Sequence, residues 1–183
     1  SLPAIARSLR KVGYDTEMIY GGDADFTNMR SYFYATGYGR VMSCDDFTTE
    51  ENSARWGVPD HITFPRVEKE IARQTARPFM KTFLTLSSHE PFDVPMSRLE
   101  HPYLNSVAYT DSCLGAFVDT LRQSPLWENL LIVFVADHTM RYPAGIQEHE
   151  VKRHHIPMVW CGGAVRGHRV VEDYASQIDL AAT

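Results

Sequence analysis

Cysteine is scarce and carries no metal-knuckle spacing: Cys44, Cys113 and Cys161 lie far apart, form no CxxC pair and make an odd total. Neither a zinc knuckle nor a disulfide framework is indicated, and the three thiols are expected to pack as small hydrophobes. A block of Lys or Arg is also lacking. With 18 basic against 23 acidic side chains and a formal net charge of -5, the chain has no cationic footprint for nucleic acid or an anionic membrane surface. No apolar run approaches the ~18 residues of a spanning helix, and the opening SLPAIARSLRKVGYD reads as an amphipathic helix rather than a signal peptide. Gly21-Gly22 fits neither GxGxxG nor the Walker pattern, so phosphate binding is not its default meaning. No repeat or low-complexity tract interrupts the 183 residues, a length that suits one domain with a real core.

What is present alternates between helical and strand patterns. Leu2, Ile5, Ala6, Leu9 and Val12 share a helical face that Gly13 terminates. Thr16 to Tyr20 reads as a strand. The turn Gly21 to Asp25 then leads into a helix from Phe26 to about Ala35, with Asp25 as its N-cap. Arg40 to Ser43 makes a brief strand, and Asp60 caps a helix from His61 to about Ala76. Pro78 to Leu86 is a buried strand, Pro102 to Gln123 the longest helix, and Ile156 to Cys161 a further buried strand. Arg169 to Val171 suits a short edge strand and Gln177 to Thr183 the start of a helix. Leu130 to Ala136 is an unbroken apolar run rich in branched side chains, the pattern of a strand buried on both faces. The alternation predicts an α/β fold, a doubly wound and mostly parallel sheet with helices on both faces.

Ligands of such sheets gather beyond the carboxyl ends of the strands, which directs attention to three places. Asp137 and His138 follow the apolar run at once; side by side, an oxygen and a nitrogen donor suit a divalent metal, or else they are a helix cap and an exposed histidine. His89 follows the strand ending at Leu86, either as a working histidine or as a satisfied loop residue. The glycine turn after Tyr20 either touches substrate or lets the backbone pass closely. Arg141 opens a charged loop to His154 that can reach over a polyanion or simply be solvated. Trp56, in ARWGVPD, reads as an anchor that pins its loop.

Five segments in order, IYGGDADFTNMRSYF, ARWGVPD, FLTLSSHEPF, FVADHTMRY and YASQIDLAAT, give the chain a family likeness. It resembles the sulfatase-like catalytic domain of the lipoteichoic acid synthase and phosphoglycerol transferase group, in the alkaline phosphatase superfamily. The resemblance implies that residues 1–183 are the C-terminal part of one catalytic domain, truncated at both ends. It implies that Asp137 and His138 bind a divalent metal, Mn²⁺ first, with Zn²⁺, Mg²⁺ or Ca²⁺ as alternatives. It further implies that His89 contacts the substrate phosphate and that Tyr20, Arg30 and Arg141 line the substrate site. The family's tryptophan and arginine for the phosphoglycerol head group are replaced by Thr27 and Met29, with Arg30 one position later. Its nucleophilic threonine and the remaining metal ligands correspond to positions upstream of Ser1. Full-length relatives carry membrane-spanning helices and work on the extracytoplasmic face of the cell membrane. The implied chemistry is transfer of a phosphoglycerol group from a lipid or glycan, or its hydrolysis, with this fragment alone inactive. Rival readings are a sulfatase and a non-catalytic binding module. No cysteine here starts the CxPxR-type motif of a sulfatase, since Cys44, Cys113 and Cys161 are followed by Asp45, Leu114 and Gly162.

Overall fold

A computed structural model describes residues 4–74, 77–143 and 145–181. They fall into two compact units, Ser1–Thr120 with Asp173–Thr183, and Leu121–Glu172.

In the first unit, helix α1 (Ile5–Lys11) leads to strand β1 (Asp15–Tyr20), followed by α2 (Met29–Thr36), β2 (Arg40–Met42), α3 (Asp60–Ala72), β3 (Phe79–Leu84) and α4 (Pro102–Arg122), whose last residues belong to the second unit. Strand β1 pairs in parallel with both neighbours in the order β2-β1-β3. The α/β class predicted by the alternation is therefore the observed one. Strand β1 is central because Thr16 to Ile19 are all buried; Met18 packs with Ala24, Phe33 and Val41. Phe64 of α3 meets Phe83 of β3 edge-on at 4.8 Å and Phe117 of α4 at 5.2 Å, which ties both helices to the sheet.

Buried charge is matched across the same strands. Glu17 of β1 stands in register with Arg40 of β2 and Lys81 of β3. Lys81 Nζ lies 2.5 Å from one of its oxygens and Arg40 Nη1 2.9 Å from the other. Arg40 also reaches Glu70 of α3 at 3.1 Å, where Arg66 and Arg73 converge as well. Burial works against ionisation of Glu70, but the Arg66 hydrogen bond and the Arg40 charge outweigh it and hold its pKa below the usual glutamate range. A depressed folded-state pKa contributes stability above the unfolded value, near 4.5, and that stability is lost as pH falls through the lower folded value. Melting curves from pH 6 down to 3 should show acid destabilisation that Glu70→Gln reduces; equal acid sensitivity in both proteins would contradict this account.

Local structure departs from the sequence reading at several helix ends. The first helix begins at Ile5, with Leu2 outside the described residues, and Gly13 takes φ +94 as its stop. Thr27 and Asn28 adopt left-handed φ values of 53 and 62, so α2 starts at Met29 rather than Phe26, and Asp25 does not cap it. Asp60 is the first residue of α3 with Pro59 as N-cap, because its carboxylate is used elsewhere. The helix ends at Ala72; Thr75 and Ala76 lie outside the described residues. Residues 169–171 form no strand, and Gln177–Ala181 is a 3-10 turn; Ala182 and Thr183 are not among the described residues. All three cysteines are free thiols.

The second unit holds strands β4 (Ile132–Val135) and β5 (Met158–Cys161), paired antiparallel with Val133 opposite Trp160. This corrects the reading of Leu130 to Ala136 as a parallel strand buried on both faces. Burial along β4 alternates, and Val133 and Val135 are 37% and 39% exposed. A continuous apolar run is compatible with either arrangement, and here its hydrogen bonds go to one antiparallel neighbour.

Candidate functional site

The carboxyl ends of β1 and β2 are tied directly, and the segment from Ala54 to Asp60 joins the turn after β1 to the end of β3. The Val58 N–H donates to Gly21 O at 2.8 Å, and the Cys44 N–H donates to Gly22 O at 3.0 Å. Contact is close enough to demand glycine on both sides: a Cβ on Gly21 would sit 2.7 Å from Val58 O, and one on Gly57, at φ +142, would collide with Gly21 O. Close backbone passage accounts for these glycines. Tyr20 lies across Gly22 with its hydroxyl pKa raised, first by burial and then by Asp23 and Cys44, so it remains a neutral donor.

Asp60 connects this segment to the end of β3. It is fully buried. Its Oδ1 accepts from the Leu86 and Ser87 N–H groups at 2.9 and 3.3 Å, its Oδ2 from the Thr110 hydroxyl at 2.6 Å, and its own N–H donates to Ser87 Oγ at 2.9 Å. Two residues after Ser87, His89 is exposed, with Nδ1 2.8 Å from Glu90 O. The Trp56 ring stands edge-on to the imidazole at 5.3 Å, and its Nε1–H donates to the same Glu90 oxygen at 2.6 Å. The structure thus brings the glycine turn, Trp56, Asp60 and His89 into one connected assembly.

Arg30 is already engaged. Its Nε and Nη2 donate to both Asp25 oxygens at 2.8 and 2.9 Å, and Nη2 also reaches Ser43 Oγ and Asp45 Oδ2 at 3.0 and 3.2 Å. The Asp25 hydrogen bond raises the Arg30 pKa and lowers that of Asp25. These contacts leave Nη1 as the guanidinium edge for a ligand oxygen.

In the second unit, Asp137 and His138 follow β4 and are exposed. The His138 N–H donates to Asp137 Oδ1 at 2.8 Å, and His138 Nδ1 lies 2.8 Å from Thr139 O. A carbonyl can only accept, so Nδ1 carries the proton and Nε2 keeps its lone pair in the neutral ring, the arrangement of a ligating histidine. Nε2 is 3.4 Å from Asp137 Oδ2. That separation suits two donors each about 2.0–2.2 Å from one ion. Asp137 and His138 are thus two adjacent electron-pair donors, and among the described residues no group of three or more His, Cys, Asp or Glu is placed to hold a metal ion. Arg141 is exposed and paired with Glu148 at 2.5 Å.

The sulfatase family profile matches residues 1–183. The chain belongs to the sulfatase family. It is 28% identical over 144 residues to the lipoteichoic acid synthase-like protein YvgJ of Bacillus subtilis, covering 72% of this chain and 23% of that protein. It is 25% identical to phosphoglycerol transferase I of Xanthomonas campestris, over 96% of this chain and 27% of that one. A solved alkaline phosphatase superfamily protein from Vibrio parahaemolyticus superposes with a TM-score of 0.76 at 30% identity, covering 88% of this chain and 41% of that chain. This sulfatase-family chain spans about a quarter of the length of those curated relatives. Among the described residues no helix is long and apolar enough to cross a membrane.

His89, Asp137 and His138 stand after strands, as their places in the sequence suggest, but Asp60 has a different task from the expected helix cap. The Pro59-Asp60 pair suggested a cap, and only the fold shows the carboxylate turned towards Leu86 and Ser87.

Proposed function

We propose that this chain is part of a metal-dependent phosphodiester transferase or hydrolase that acts on a phosphoglycerol-bearing lipid or glycan, in a parent protein anchored at the extracytoplasmic face of the cell membrane. The observation that carries the reading is the Asp137–His138 pair, whose Oδ2 and Nε2 are donors 3.4 Å apart with the His138 tautomer set by Thr139 O. Asp137 and His138 would hold a divalent ion, Mn²⁺ first, with Zn²⁺, Mg²⁺ or Ca²⁺ as alternatives. Such an ion lowers the pKa of a hydroxyl nucleophile and neutralises charge on phosphoryl oxygens. His89 supplies a hydrogen bond to a phosphoryl oxygen or a proton to the leaving alkoxide. Tyr20 is a neutral donor beside the glycine turn, Arg30 offers Nη1 to an anionic ligand, and Arg141 can exchange Glu148 for a phosphate oxygen. The nucleophile and the remaining metal ligands lie in residues outside this chain.

Two donors leave an ion mostly hydrated, so binding by this chain should be weak. Calorimetric titration with Mn²⁺ should give a Kd on the order of 0.1 mM or weaker, with the heat abolished by Asp137→Ala and by His138→Ala. Heat unchanged in both variants would remove the pair from the metal site, and submicromolar affinity would show a complete site within these residues.

A further inference from the structure

The Glu90 carbonyl oxygen stands between two ring nitrogens, Trp56 Nε1 at 2.6 Å and His89 Nδ1 at 2.8 Å. An indole nitrogen is always a donor and a carbonyl always an acceptor, so neither contact is ambiguous in direction. His89 Nδ1 must therefore carry a proton. A neutral histidine side chain free in water favours the other tautomer, with the proton on Nε2. The loop thus imposes the less common form, and it does so on an exposed ring that solvent would otherwise leave to choose.

Trp56 is placed to enforce this choice in two ways. Its N–H holds the Glu90 peptide so that the carbonyl faces the imidazole, and its ring packs edge-on against the same imidazole at 5.3 Å with 66° between the planes. Trp56 is in turn held by its own segment, since Gly57 and Val58 are bonded to the backbone of Ala54 and Gly21. Trp56 is still 45% exposed, more than a residue kept only for burial would need.

We propose that Trp56 is a positioning residue for His89, fixing the Nδ1–H tautomer through the Glu90 carbonyl so that Nε2 is the atom offered to the substrate. The inference rests on the reading of His89 as a phosphate-contacting residue. Its chemical consequence is specific. The neutral ring presents a lone pair at Nε2 and takes up a proton there, and the imidazolium so formed is the species that donates from Nε2 to a phosphoryl oxygen or to the leaving alkoxide.

The test is long-range ¹H–¹⁵N correlation NMR of this chain with ¹⁵N-labelled histidine, at a pH where the ring is neutral, with His89 assigned by its loss in His89→Gln. Wild-type His89 should show the Nδ1–H pattern. Trp56→Phe, which keeps an aromatic ring and removes the N–H, should move it towards the Nε2–H pattern while backbone spectra stay superimposable. A wild-type ring in the Nε2–H form overturns the proposal without any variant, and so does an Nδ1–H pattern unchanged in Trp56→Phe. In a polypeptide extended to the length of its relatives, Trp56→Phe should lower kcat about tenfold with KM little changed. If the tautomer responds as stated but His89→Ala leaves turnover intact, the positioning role stands and the catalytic reading of His89 fails.

Discussion

Replacing Asp60 by alanine should lower the melting temperature by about 10 °C, the largest single-residue effect on stability expected in the first unit. The carboxylate is fully buried and accepts from the N–H groups of Leu86 and Ser87 and from the Thr110 hydroxyl. Alanine leaves these donors without an acceptor in the interior. Stranded buried donors together with the lost contacts cost about 3–5 kcal/mol. For a domain of this size each 1 kcal/mol moves the melting temperature by about 2–4 °C. Asparagine separates the causes. Its carbonyl can still accept from Leu86 and Ser87, and its amide can donate to the Thr110 oxygen, so Asp60→Asn should recover more than half of the loss. A melting point for Asp60→Ala within 2 °C of wild type would show that the network contributes nothing measurable.

His89→Ala should do the reverse, removing activity and sparing the fold. The imidazole is exposed, and its polar contact is with the neighbouring Glu90 carbonyl. Surface substitutions away from caps and cores stay within about 0.5 kcal/mol. Loss of a group that stabilises charge at a phosphoryl centre or protonates a leaving alkoxide costs about 100-fold or more in turnover. Steady-state kinetics on the extended polypeptide with a chromogenic phosphodiester, paired with thermal melting, measure both quantities. Turnover preserved with a large melting shift would make His89 a structural loop residue.

Much of this arrangement is legible in the sequence because strand ends announce themselves. His89 and the Asp137–His138 pair stand just after apolar runs, where the ligands of α/β sheets gather. The environment of Arg30 is not legible. Its partners Asp25 and Asp45 are five and fifteen residues away and come together only when α2 and β2 are placed. Asp60 misled for the same reason: an acidic residue before a helix looks like a cap, and its true acceptor role depends on strand β3, which starts nineteen residues later. The apolar run at Leu130 misled because pairing direction is a property of the neighbour, β5, and not of the run.

The central claim, metal-dependent phosphodiester chemistry through Asp137 and His138, is tested most directly by one assay of release or transfer from a glycerophosphoryl lipid. It compares this chain, the extended polypeptide and its Asp137→Ala and His138→Ala variants, with Mn²⁺ and with chelator, and with a chromogenic sulfate ester alongside. The account predicts Mn²⁺-dependent turnover by the extended polypeptide alone, reduced by about 1,000-fold or more in either variant, with no turnover by this chain and none on the sulfate ester. Turnover that survives both chelator and His138→Ala, or sulfate ester cleavage in place of phosphodiester cleavage, would contradict it.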